Sequence, residues 1–207
     1  MGLRTVFLGT PQFAVPTLDA LVAAGHQVIS VYTQPDRPKG RGQSVAMSAV
    51  KEAALRLNLP VLQPERIRRP EQVAELIEQA PEVMVIVGYG QIIPQNIIDI
   101  PRFGIINVHG SLLPKYRGAG PIQWAIANGE TVTGVTTMRI NAGLDTGDML
   151  LKAETPIEAN ESATELGERL SHLGAKLLIE TLENPGMPGT PQDDKQATHA
   201  PILSKQD

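Results

Sequence analysis

The sequence predicts an α/β fold, an open and mainly parallel twisted sheet with helices on both faces and a late antiparallel hairpin. Three observations carry that expectation. Short apolar runs alternate with stretches of helical period from Leu3 to Val108. The run Val83 to Val87 (VMVIV) is apolar at every position, as in a parallel strand covered on both faces. Val132 to Ile140 instead alternates, and Asp148 to Ala153 can pair with it.

Taken in order, Leu3 to Leu8 reads as a buried first strand closed by the turn Gly9-Thr10-Pro11. Leu18, Leu21 and Val22 share a helical face that Gly25 terminates. Val28 to Tyr32 is a second strand. TQPDRPKGRGQS, which follows it, is rich in proline, glycine and basic residues and reads as a loop. Val50, Ala53, Ala54 and Leu57 mark a second helix, and Pro60-Val61-Leu62 a short strand. Val73, Leu76, Ile77 and Ala80 mark a third helix, followed by the strand at Val83 to Val87. Ile105 to Val108 is a further strand, running into NVHGS. Ala119 to Asn128 is a short helix ended by Gly129. Leu166, Leu170, Leu173 and Leu177 line one face of a last long helix. After Asn184 the composition changes to NPGMPGTPQDDKQ, so residues 1–184 read as one domain and 185–207 as a linker or surface extension.

Composition narrows the class. The chain has 207 residues, of which 42% are hydrophobic, enough for a substantial core. It holds no cysteine, which excludes a disulfide, a thiolate zinc site and a cysteine nucleophile. No run of about 18 apolar residues and no signal-peptide pattern is visible, so no membrane role is expected and a cytoplasmic enzyme is the simplest reading. The net charge of −4 argues against a general nucleic-acid binder. The charge is uneven: residues 151–207 carry ten acidic and five basic side chains, leaving the first 150 slightly basic. Contact with a polyanion should therefore come from a local patch in the first part. His26, His172 and His199 lack ligand spacing, and no metal is expected.

The architecture is Rossmann-like, but GTPQF lacks the G-x-G-x-x-G spacing of a dinucleotide loop, and Pro11 removes an N–H that a phosphate could use. Gly9 reads as a plain strand-to-helix turn. The informative stretch is INVHGSLLPKYRGAGPIQWAIANGE, Ile106 to Glu130. Asn107 and His109 alternate around Val108 at a strand's carboxyl end, so they share a face, and such ends are where open α/β sheets bind ligands. A hydrogen-bonded polar pair at a strand end is the bland alternative. Ser111 and the glycines nearby weigh against it. NAGLDTGDM, Asn141 to Met149, offers Asp145 between two glycines as a third member. These residue types suit transfer of a one-carbon acyl group to an amine. Asn107 and an imidazolium at His109 can each donate to the developing oxyanion. Asp145 can orient the ring and help move the amine proton, directly or through water. No serine has a nucleophile-elbow context.

NVHGSLLPKYRGAGPIQWAI and GLDTGDM resemble the signature of the formyltransferases that use 10-formyltetrahydrofolate. FLGTPQFAVPTLDAL and TQPDRPKGRG resemble the branch acting on methionyl-tRNA, and the likeness runs from about Arg4 to Lys205. The resemblance implies Asn107, His109 and Asp145 as the catalytic trio, with no metal. It implies 10-formyltetrahydrofolate as co-substrate, held by Tyr89, Gly90, Ile92, Ile93, Pro94, Ser111, Leu112, Leu113, Pro114, Asn141, Gly143 and Leu144. Leu113-Pro114 is a candidate cis peptide. The resemblance also implies a grip on the acceptor stem of initiator methionyl-tRNA by Arg37, Lys39 and Arg41, which Arg66, Arg68 and Arg69 could extend. Family members act in translation initiation. They continue past the segment equivalent to 185–207 into a smaller tRNA-binding barrel. A monomer is expected. Gly88, where alanine is commoner, and Asn141, where an acidic residue is commoner, depart from the pattern. Two readings compete: a formyltransferase for a small amine such as glycinamide ribonucleotide or an amino sugar nucleotide, and a non-catalytic folate-binding module. TQPDRPKGRG speaks against the first, and the intact trio against the second.

Overall fold

The computed structural model describes residues 2–39 and 44–203. The chain divides into two compact units, residues 1–105 and 106–207. The first contains β1 (Arg4–Gly9), α1 (Val15–Ala23), β2 (Gln27–Tyr32), β3 (Arg37–Lys39), β4 (Ser44–Ala46), α2 (Ala49–Arg56), β5 (Val61–Leu62), α3 (Pro70–Gln79), β6 (Val83–Val87) and α4 (Gln95–Ile98). Its sheet runs in the order β5-β2-β1-β6, all parallel. β6 lies on the opposite side of β1 from β2, so the strand order reverses direction there. With right-handed crossovers, that reversal sends successive helices to opposite faces and opens a crevice at the carboxyl ends of β1 and β6. All five residues of β6 are buried, as the continuous VMVIV run predicts. Helix α1 carries its proline in the first turn, where the missing N–H costs nothing. Helix α2 is capped by the Ser48 side chain, which accepts from Lys51 N–H.

The second unit contains β7 (Ile105–His109), which begins at the boundary, α5 (Pro121–Ala127), β8 (Val132–Arg139), β9 (Met149–Pro156) and α6 (Ala163–Glu183). β7 pairs antiparallel with β8, and β8 with β9. A capping box of Ser162 and Glu165 starts α6. Leu166, Leu170, Leu177 and Leu178 on α6 are buried. Gly174, on the same helix, comes so close to β7 that a Cβ there would lie 2.6 Å from Val108 Cγ1.

Three features differ from the sequence reading. The basic segment after β2, read as loop, carries the antiparallel pair β3 and β4. Three-residue strands at the end of a proline- and glycine-rich stretch have too few positions to show an alternating pattern. Helix α4 has four residues, fewer than a helical period needs to be visible. The tail read as a linker or surface extension is bound to the second unit as far as Ala200, through main-chain bonds that composition does not encode: Met149 and Thr190 exchange N–H···O bonds of 2.9 and 2.7 Å, and Arg117 N–H donates to Thr198 O at 2.8 Å. Gly88 has φ of +57° and its missing Cβ would meet Pro11 Cγ at 2.8 Å, so the commoner alanine would be strained in this chain. Among the described residues no helix is long and apolar enough to cross a membrane.

Candidate active site

β7 carries Asn107 and His109 on one face at its carboxyl end, with His109 opposite Thr136 on β8. Both are nearly buried, at 8% and 6% exposure. The turn after His109 is pinned from the hairpin. Thr136 Oγ1 donates to Ser111 O at 2.7 Å and accepts from Leu113 N–H at 3.1 Å. Lys152 Nζ on β9 donates to Leu113 O. The Leu113-Pro114 peptide is cis. The chain then turns back at Tyr116, whose φ is +60°, and points the Tyr116 carbonyl at the imidazole. His109 Nε2 lies 2.8 Å from Tyr116 O.

That contact fixes the tautomer. A carbonyl only accepts, so Nε2 carries a proton. Nδ1 is left facing Asp145, with Oδ2 at 3.7 Å. Asp145 Oδ2 is held in turn by Gly118 N–H at 2.8 Å, and only 13% of the carboxylate side chain is exposed. Asp145 has φ of +51°, a left-handed conformation that aspartate tolerates better than most residues. Asn141 Oδ1 closes the loop before it, accepting from Gly143 N–H at 3.0 Å and from Thr146 Oγ1 at 2.9 Å. The imidazole and the carboxylate, 36 positions apart in the chain, thus face one another.

The Asn107 side chain makes no hydrogen bond to another described residue, and its carboxamide is not among the fully enclosed polar atoms left without a partner, so it stays open to a ligand. Two donors held at a strand end, beside a ring with its tautomer fixed, can stabilise an oxyanion without reorganising. Among the described residues no group of His, Asp and Glu could hold a metal.

The first unit has a cavity of about 760 Å³ at the carboxyl ends of β1, β2 and β6, where the strand order reverses. Thr10, Gln34, Ser48 and Tyr89 line it, and Arg37 borders it. Thr10 Oγ1 and Gln34 Nε2 both donate to Tyr89 O, at 3.0 Å each.

Residues 3–182 match the model of the formyl transferase family. The chain belongs to that family. It is 66% identical over 208 aligned residues to a methionyl-tRNA formyltransferase of Solibacter usitatus (strain Ellin6076), covering 99% of this chain and 67% of the relative. It is 60% identical to the methionyl-tRNA formyltransferase of Koribacter versatilis (strain Ellin345), covering 98% of this chain and 66% of the relative. The chain thus spans about two thirds of the length of these curated relatives. Solved structures agree on the fold. A glycinamide ribonucleotide transformylase from Symbiobacterium toebii superposes with a TM-score of 0.73 at 19% identity, covering 87% of this chain and 86% of that one. An N-formyltransferase from Helicobacter canadensis, in complex with folinic acid and dTDP-3-aminofucose, gives 0.72 at 19% identity, covering 99% and 72%.

In this formyl transferase the other expected site residues fall into distinct environments. Tyr89 is 1% exposed and bonded through its carbonyl, and Gly90 follows it at the surface. Ile92 is 87% exposed, whereas Ile93 is buried and packs in the core. Pro94 and Leu112 are half-buried, as is Pro114. Leu113 is wholly buried, and the Ser111 hydroxyl is spent on Lys115 O at 2.6 Å. The side chains at these two positions shape the turn rather than line an open surface. Asn141, Gly143 and Leu144 are exposed. Arg37 is exposed on β3. The backbone of Lys39 ends that strand, and Arg41 lies outside the described residues. Arg69 pairs with Glu65 at 3.1 Å, while Arg66 and Arg68 are exposed. Sequence reasoning missed Tyr116, whose role runs through a carbonyl, and Gln192, which sits in a tail without periodicity.

Proposed function

We propose that the chain transfers the formyl group of 10-formyltetrahydrofolate to the amino group of initiator methionyl-tRNA, in the cytoplasm and as a monomer. The observation that carries the reading is the unpartnered Asn107 carboxamide beside an imidazole that is locked between a carbonyl and a carboxylate. The printed names of the relatives, at 66% and 60% identity, support methionyl-tRNA as the acceptor.

The residues divide the work. Asn107 donates to the formyl oxygen as it gains negative charge. His109 has Nε2 committed to Tyr116 O, so its Nδ1 and the Asp145 carboxylate take the proton from the attacking amine, and that proton goes, directly or through water, to N10 as the formyl C–N10 bond breaks and tetrahydrofolate leaves. The nearly buried setting keeps water from competing for the formyl group. The exposed loop Asn141, Gly143 and Leu144 offers main-chain groups of the kind that read a pterin edge, and the turn Ser111 to Pro114, whose own main-chain groups are mostly bonded within the protein, is assigned to folate on the family resemblance. Tyr89, Gly90, Ile92, Ile93 and Pro94 are assigned to folate on the family resemblance. Arg37 at the rim of the first unit's cavity suits an acceptor-stem phosphate, and Lys39 and Arg41 belong to the same basic segment. Residues 185–207 lead toward a tRNA-binding barrel in this reading.

The deciding experiment measures formyl transfer from 10-formyltetrahydrofolate to methionyl-tRNA beside glycinamide ribonucleotide and an amino sugar nucleotide. Transfer to methionyl-tRNA is expected to dominate, and His109→Ala to abolish it while folate binding persists. Preference for a small amine, or full activity in His109→Ala, refutes the reading.

A further inference from the structure

The tail that composition reads as linker is wired into the catalytic loop, and Gln192 is the point of connection. Its Nε2 donates to two carbonyls of that loop, Asp145 O and Gly147 O, at 2.8 Å each. Its Oε1 accepts from Arg117 Nε at 2.9 Å. The partners fix the amide orientation, since carbonyls only accept and a guanidinium only donates. Arg117 is 5% exposed and also pairs with Asp194 at 2.8 Å. The next residue, Gly118, is the one whose N–H holds Asp145 Oδ2. The bonds therefore close a ring: carboxylate to Gly118, Gly118 to Arg117, Arg117 to Gln192, and Gln192 back to the main chain of Asp145.

A second observation shows that the tail is built against this turn. Gly118 has φ of +117°, and a Cβ there would meet Ala200 O at 2.7 Å. Ala200 N–H donates to Arg117 O at 2.7 Å, and Tyr116 N–H to Thr198 Oγ1 at 2.8 Å. The same segment thus backs the residue that orients His109 and the residue that grips Asp145. The Asn141 bonds tie the Asp145 loop only to itself. Gln192 ties it to the turn that carries Gly118, and it holds the main chain immediately after the left-handed Asp145, a conformation that the surrounding structure must support.

We infer that residues 190–200 act as a strap that positions the Asp145 carboxylate against His109, with Gln192 as the positioning residue and Arg117 as its anchor. This rests on the proposed formyl transfer for its consequence in catalysis, though not for its geometry.

The test uses the full chain with Gln192→Met, which keeps length but removes both N–H donors and the acceptor. Trp124→Phe serves as the control: it deletes a bond from Trp124 Nε1 to Pro201 O at 2.8 Å, just past the strap and outside the ring. Two readouts are taken. Hydrogen exchange at the Gly118 amide reports the grip on the carboxylate without any turnover. It is expected to quicken at least about tenfold in Gln192→Met and to stay unchanged in Trp124→Phe, a tenfold change matching the loss of one hydrogen bond. In the transfer assay, kcat is expected to fall about 10- to 100-fold with KM for both substrates nearly unchanged, while Trp124→Phe keeps its kcat. Unchanged Gly118 exchange in Gln192→Met overturns the inference. So does an equal effect of the two variants. An inactive wild-type chain would instead count against the proposed reaction, leaving the exchange result to decide the strap.

Discussion

Replacing Gly174 by alanine sets two known effects against each other at one buried position. Alanine in place of glycine inside a helix is worth about 1 kcal/mol. In α6, however, the new methyl would lie 2.6 Å from Val108 Cγ1 and 3.7 Å from Val135 Cγ1. Carbon atoms pack at about 3.5–4.0 Å, so the helix or β7 must give by about 1 Å. Val108 cannot swing aside cheaply, because it is β-branched, buried and fixed in the sheet. Overpacking of this kind costs about 1–3 kcal/mol, which leaves a net loss of about 1 kcal/mol and a Tm lower by about 2–4 °C. Gly167 lies in the same helix, but its Cβ would meet only Ile122 Cδ1 at 3.7 Å. There the propensity gain stands alone, and Gly167→Ala should stabilise by about 0.5–1 kcal/mol. Urea midpoints of the two variants decide the matter. Because Val108 lies between Asn107 and His109, a shifted β7 should also lower kcat in Gly174→Ala alone. If the two alanines stabilise equally, the packing argument is wrong.

Three further outcomes follow from the same geometry. Asp145→Asn keeps an acceptor for Gly118 N–H and tolerates the positive φ, so stability should change by no more than about 1 kcal/mol, while transfer falls about 10²- to 10⁴-fold for want of the charge; kcat within threefold of wild type would show that the carboxylate is not needed. Tyr116→Phe removes the phenol that donates to Glu130 at 2.8 Å and accepts from Asn128 at 3.1 Å but leaves the carbonyl on His109; about 1 kcal/mol of stability should be lost with kcat unchanged, and a large fall in kcat would point to the ring instead. Burial lowers His26 below the ordinary histidine value, and its Nδ1 accepts from Leu3 N–H at 3.2 Å. The unfolded chain therefore takes up this proton first as pH falls, so His26 costs no stability above about pH 6.5 and progressively more below it. His26→Gln should flatten the difference between urea midpoints measured at pH 7.5 and 5.5, and an unaltered difference would remove His26 from the account.

Wherever a physical cause acts between near neighbours, the residues alone declare it. The strand at Val83 to Val87, the leucine face of α6 and the hairpin of β8 and β9 follow from periodicity, because burial repeats with the geometry of the element. Asn107 and His109 were legible as a pair because two residues on one strand must share a face. Their partnership with Asp145 was proposed from residue type and family resemblance. The facing of carboxylate and ring at 3.7 Å depends on how the chain returns. Tertiary structure alone decided the rest of the site. The tautomer of His109 is set by the carbonyl of Tyr116, and the aim of Asp145 by an amide at Gly118 and a side chain at Gln192. Backbone N–H and C=O groups are common to almost every residue, so a sequence cannot mark which of them will matter. Only the path of the folded chain selects them.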